Sequence, residues 1–117
     1  MITINVPIQT VSELNARDHW AVRNKRRQAQ KKAVYYAWKE TMFGHRTPQP
    51  PLVVRFTRFG PRLLDDDNLR GALKYARDTV ADLLGIDDGD SRIRFEYAQR
   101  IDSDYSVTIE VEGSKKM

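Results

Sequence analysis

Two groups of oxygen-bearing side chains have types and spacing suited to chemistry: Asp65-Asp66-Asp67-Asn68 and, further along, Asp87-Asp88-Gly89-Asp90. Carboxylates packed this closely repel one another, which costs stability unless a positive charge lies among them. A hard divalent cation is one such charge. Magnesium takes a few carboxylate oxygens and keeps several waters, so two or three aspartates suffice. The competing reading is structural. An aspartate at a helix start accepts from orphan N–H groups and complements the helix dipole, and Asp-Gly loops are common turns. That explains one or two of these residues, and less readily three consecutive acids followed by three more. Other chemistries have less support. Asp65-x-Asp67 is followed by Leu69 where an EF-hand needs an oxygen ligand. His19 and His45 are the only histidines and cysteine is absent, so zinc lacks a ligand set. No Gly-rich phosphate loop and no Gly-x-Ser-x-Gly elbow occurs.

The elements that must position these residues can be read from periodicity. Residues 2–6 alternate apolar and polar up to Pro7 and predict a short strand, with a loop over 8–16. From Asp18 to Phe43 there is no Pro or Gly, and strong helix formers dominate; Val22, Ala29, Ala33, Tyr36 and Ala37 recur as an apolar stripe. Gly44 fits the stop, and Thr47 to Pro51 is a stiff connector. Residues 52–59 predict a second strand with Val54, Phe56 and Arg58 on one face. After Asn68, the spacing of Leu69, Ala72, Leu73, Ala76, Val80, Leu83 and Leu84 predicts one amphipathic helix ending at Gly85. Two alternating runs, 92–100 and 104–112, read as a hairpin around Asp102-Ser103. The expected fold is α+β, in the order β-α-β-α-β-β, a small mixed sheet covered by two helices. Residues 1–117 make a single domain, with 1–11 as N-terminal strand and loop and 113–117 as a disordered tail. A helix of about 17 residues is roughly 25 Å long, which puts Asp67 and Asp90 at opposite ends. A carboxylate cluster spanning both ends is therefore easier if a second subunit contributes.

Charge supplies the partner. The 117 residues carry a net +4, yet residues 17–62 hold twelve Lys/Arg against two acids, and residues 63–112 hold six against thirteen. Arg23, Lys25, Arg26, Arg27, Lys31 and Lys32 load the first helix, Arg17 precedes it, and Arg58 and Arg62 lead toward the acidic cluster. Arg70, Lys74 and Arg77 form a basic stripe on the second helix. A charge run is often a solvated helix face. Positive charge that meets carboxylates able to hold Mg²⁺ is also the arrangement of a phosphodiester-cleaving enzyme, with Lys and Arg on the phosphates. Tyr35, Tyr36 and Trp38 read as packing residues on the first helix, with base stacking as the alternative. No apolar run approaches a membrane span and no signal-peptide layout opens the chain, so no membrane partner and a cytoplasmic location are expected.

With these residues in view, the chain resembles the RusA family of Holliday-junction resolvases. The resemblance rests on Asp65-Asp66-Asp67-Asn68 opening an amphipathic helix, on Gly85-Ile86, and on Asp90-Ser91-Arg92-Ile93 leading into the next strand. The segment Asn15 to Trp20, with its basic helix, is similar to phage and prophage members. The similarity spans about residues 12–112. It implies a homodimeric, Mg²⁺-dependent (or Mn²⁺-dependent) endonuclease that resolves four-way DNA junctions by paired nicks in recombination and repair. By the resemblance, Asp65 and Asp67 match the two Asp of the Asp-x-Asp-Asn motif and Asn68 its Asn, a supporting or capping residue. Asp90 matches the third Asp, with Asp88 in reserve. The family's lysine position is Gly71 here, which leaves Arg70 or Lys74 to supply the cation. A two-fold protein offers two equivalent sites to the two symmetric strands of a junction. The alternative is a non-catalytic basic DNA-binding protein of phage origin whose aspartates are caps and turns.

Overall fold

The computed structural model describes residues 1–10, 20–87 and 89–113. Among the described residues seven elements follow in order: β1 (Ile2–Val6), α1 (Trp20–Thr41), β2 (Leu52–Gly60), α2 (Asp66–Ala72), α3 (Lys74–Leu84), β3 (Ile93–Ile101) and β4 (Ser106–Gly113). They form an α+β domain with one mixed four-stranded sheet in the order β1-β4-β2-β3. β2 is parallel to β3 and antiparallel to β4, which is itself antiparallel to β1. Among the described residues no helix is long and apolar enough to cross a membrane.

The expected hairpin does not form. β3 and β4 flank β2, whose Gly60 carbonyl accepts from Asp102 N–H (2.9 Å) where the chain steps across. The cause lies in β2. Val54 and Phe56 are fully buried on one face, and Val53 and Thr57 are buried on the other. A strand buried on both faces belongs inside a sheet, whereas β4 is buried on alternate residues and β3 only at Ile93.

One face of the sheet carries Ile4, Val6, Val54, Phe56, Val107, Ile109 and Val111, all essentially inaccessible. Phe56 stacks against Phe95 and Tyr97, with ring centroids 6.2 and 6.0 Å away. The helices cover this face. α3 contributes Ala76, Val80 and Leu84, and α1 contributes Gln30, Val34 and Trp38, with Met42 just beyond it. The stripe expected on α1 is therefore rotated: Val22 and Tyr36 are more than half exposed, and Ala33 and Ala37 only flank the core. Alanine is too weakly apolar to decide a helix face, and the i, i+4 series of Val34 and Trp38 decides it. Of the three aromatics read as packing residues, only Trp38 is buried; Tyr35 and Tyr36 are exposed.

The single second helix expected after Asn68 is divided in two at Leu73 (φ −100°, ψ 3°), whose N–H is shared between the carbonyls of Leu69 (3.2 Å) and Arg70 (3.3 Å). Gly71, a poor helix former, adjoins the break. The apolar series continues through it, since Leu69, Ala72, Leu73, Ala76, Val80 and Leu84 are all buried. α3 closes at Gly85 (φ 69°), where Gly85 N–H reaches the Asp82 carbonyl and Ile86 N–H the Ala81 carbonyl. That paired reach to the last carbonyls is the αL stop expected of a glycine there. The other sheet face is polar. On it Arg94, Glu96, Arg55 and Glu110 form a ladder of ion pairs at 3.1, 2.8 and 3.9 Å. The Glu96 hydrogen bond and charge raise the Arg55 pKa above its ordinary value.

Candidate metal and nucleic-acid site

The loop from β2 to α2 leads into the first acidic cluster, and it is held from two sides. On one side stands Arg58, only 3% exposed. Its Nε donates to Thr10 Oγ1 (3.0 Å), its Nη1 to the Arg62 carbonyl (2.7 Å), and its guanidinium carbon lies 5.9 Å from the Tyr105 ring centroid. Burial lowers its pKa, although a guanidinium stays charged. Gly60 makes room for it, because a Cβ there would come within 2.8 Å of Arg58 Nη2. On the other side the Gln99 amide accepts from Leu64 N–H (2.9 Å) and donates to the Leu64 carbonyl (2.7 Å).

Asp65 follows directly as the N-cap of α2. Its Oδ1 accepts from Asn68 N–H (2.9 Å) and its Oδ2 from Asn68 Nδ2 (3.0 Å). Asn68 is thus the partner that orients Asp65. Asp66 and Asp67 occupy the first turn, exposed and without an ion pair among the described residues. Arg70 lies 5.7 Å from the Tyr97 ring centroid. Arg77 donates to Tyr97 Oη (3.2 Å) and sits over Phe95. Lys74, one turn beyond Arg70, is exposed.

The second cluster is built differently. Asp87 Oδ1 accepts from Gly89 N–H (3.1 Å), a side-chain-closed turn. Asp90 accepts from Arg92 through its backbone N–H (2.9 Å), Nε (3.1 Å) and Nη2 (2.8 Å). The Arg92 hydrogen bonds hold the Asp90 pKa down at about 2. Asp88 lies outside the described residues. Among the described residues, no three Asp, Glu, His or Cys side chains come together closely enough to hold a metal. The donor chemistry of Asp65 and Asp67 suits a hard cation, but one chain does not gather Asp90 with them.

The basic residues fall into two classes. Arg23, Lys25, Arg27, Lys32 and Arg62 are exposed, and Arg26 and Lys31 are half-buried. Trp20 to Ala29 is exposed throughout except at Arg26, so the first turns of α1 stand clear of the core. Arg58 is no surface contact, being locked beneath the loop, and Arg77 packs along the β3 aromatics. Arg17 lies outside the described residues.

The structure adds a feature that periodicity did not single out. A cavity of about 440 Å³ opens beside the start of α2, lined by Arg55, Asp66, Leu69, Arg70, Phe95, Glu96 and Tyr97. Its carboxylates are Asp66 and Glu96, neither one a motif aspartate. The alternation of β3 puts Glu96 and the Phe95/Tyr97 pair on opposite faces, so only the strand order could reveal that they border one cavity. No protein-family model matches the chain. No curated protein matches it either.

Proposed function

We propose that this protein is a metal-dependent endodeoxyribonuclease of the RusA kind, acting in the cytoplasm as a homodimer that nicks branched DNA. The observation that carries the reading is the start of α2. Asp66 and Asp67 are exposed and unpaired among the described residues in the first turn of α2, after a loop fixed by Arg58 and Gln99, while Asp65 is oriented by Asn68. A carboxylate offers about four lone-pair positions, so Asp65 keeps capacity for a cation while it caps the helix. Asp65 and Asp67 would hold Mg²⁺ (or Mn²⁺), with Asp90 or Asp88 completing the set across the dimer. When bound, the ion lowers the pKa of its water and stabilises developing charge on the phosphate. Arg70 or Lys74 would take the cationic role left open by Gly71. The exposed cations of α1, together with Arg62, bind phosphates, and junction shape supplies the selectivity.

The deciding experiment incubates the protein with a labelled four-way junction, a linear duplex and a single strand, in Mg²⁺ or in EDTA. Paired nicks in the junction that need Mg²⁺ and vanish in Asp67→Asn, with binding retained, support the reading. Undiminished nicking by Asp67→Asn defeats it. One observation favours the second reading, a DNA-binding protein without catalysis: Asp65 and Asp90 are both already engaged, by a helix cap and by Arg92. That reading gives salt-sensitive binding and no Mg²⁺-dependent product.

A further inference from the structure

Between α1 and α3 runs an open groove of about 510 Å³, which shares no residue with the Asp65–Arg70 region. The size is within the ~300–1,000 Å³ range of small-ligand sites. The apolar contacts come from the Tyr35 ring and Leu83, the polar rim from Gln28 and Asp82, and Lys31 and Lys32 lie along the α1 wall. Tyr35 is 45% exposed and therefore retains ring surface for a partner. It meets Tyr36 edge-on at 5.7 Å, and Lys39 Nζ lies 5.4 Å from its centroid. A second cation–aromatic contact, Lys32 Nζ to Tyr36 at 5.9 Å, continues the pattern along the helix.

We propose that this groove binds an unpaired nucleotide of single-stranded nucleic acid, its base against Tyr35 and Leu83 and its phosphate on Lys31 and Lys32. Each part of the lining matches one part of that ligand. Any base can stack on a tyrosine ring, and flanking lysines neutralise the backbone. α1 carries seven Lys/Arg against a single acid, Glu40, so the wall is strongly attractive to a polyanion. Asp82 narrows the choice. A carboxylate in the groove repels an acidic peptide, yet it accepts from an exocyclic amine such as cytosine N4. Gln28 can donate or accept beside it. The site does not depend on the nuclease reading, because nothing in it requires a metal or a cut.

The test is therefore a binding measurement in EDTA. Fluorescence anisotropy compares labelled oligo(dC), oligo(dT) and an abasic oligomer of equal length at low salt. Base-bearing strands should bind roughly tenfold tighter than the abasic strand. Oligo(dC) should exceed oligo(dT), and Asp82→Ala should remove that difference. Tyr35→Ala, at a half-exposed position that leaves the core intact, should reduce base-bearing strands to the abasic level without changing the circular dichroism spectrum. Equal affinity for abasic and base-bearing strands overturns the proposal. So does full wild-type binding by Tyr35→Ala, or equal competition by a poly-glutamate peptide.

Discussion

The Gln99 side chain meets the backbone of Leu64 at both of its polar groups, Oε1 to the N–H at 2.9 Å and Nε2 to the carbonyl at 2.7 Å. An amide side chain thereby stands in for a neighbouring strand at the edge of β3. It fixes the residue immediately before the cap of α2. Replacing Gln99 with Leu leaves both half-buried groups of Leu64 without that partner, and such losses cost about 1–3 kcal/mol. The urea midpoint should fall with no change in slope. Gln99→Glu keeps the acceptor and loses the donor, so its midpoint should lie between those of wild type and Gln99→Leu.

Asp65 carries two separable roles. Asp65→Ser keeps a side-chain oxygen for the cap, whereas Asp65→Ala removes it at a cost of about 1 kcal/mol. Thermal unfolding should rank the variants wild type, Ser, Ala. If Asp65 also holds a cation for junction cleavage, both variants should lose nicking together, independent of that ranking.

Asp90 reports acid behaviour. Its folded pKa of about 2 lies below the ordinary carboxylate value of about 3.9, owing first to the Arg92 side-chain hydrogen bonds. The pair therefore stabilises the native state above about pH 4, and this contribution disappears as pH falls toward 2. In Arg92→Met the Asp90 carboxyl should titrate higher than in wild type, yet still below the ordinary value because the backbone N–H at position 92 keeps donating to it, as measured by carbon NMR of the side chain. The acid limb of the stability curve should flatten over the same window.

Arg58 and Gly60 should be coupled. The Cβ of Gly60→Ala meets Arg58 Nη2 at 2.8 Å and Tyr105 Cε1 at 3.2 Å, and Arg58 can retreat only by loosening its bonds to Thr10 and Arg62. Overpacking of this kind costs about 1–3 kcal/mol. In an Arg58→Met background the added cost of Gly60→Ala should shrink by at least ~0.5 kcal/mol in a double-mutant cycle, the scale of residues in contact.

Much of the fold was legible in the sequence because apolar spacing is a local signal. β1, β2 and the series from Leu69 to Leu84 needed nothing else. What failed was non-local. The runs 92–100 and 104–112 fit a hairpin taken by themselves, and only the two-sided burial of β2 excludes it. On α1, alanines drew the stripe toward Tyr36, whereas the sheet selects the Val34–Trp38 face. The candidate site divides likewise. Asp65 and Asn68 lie three positions apart, and their contact is local. The clamp by Gln99 and the burial of Arg58 depend on residues 35 and 48 positions away. No window of sequence contains both ends of such a contact.

The placement of β4 also governs the order in which the chain can become native. Asn5 on β1 faces Thr108 on β4, 103 residues along the chain, and among the described residues β1 pairs with no other strand. Until β4 has left the ribosome, β1 lacks its hydrogen-bonding neighbour and β2 has one side open. Pairings this distant in sequence are slow to close, and unpaired strand edges are what chaperones shield. A nascent chain stalled before Ser106 should stay protease-sensitive, with protection appearing only once the last strand is free to insert.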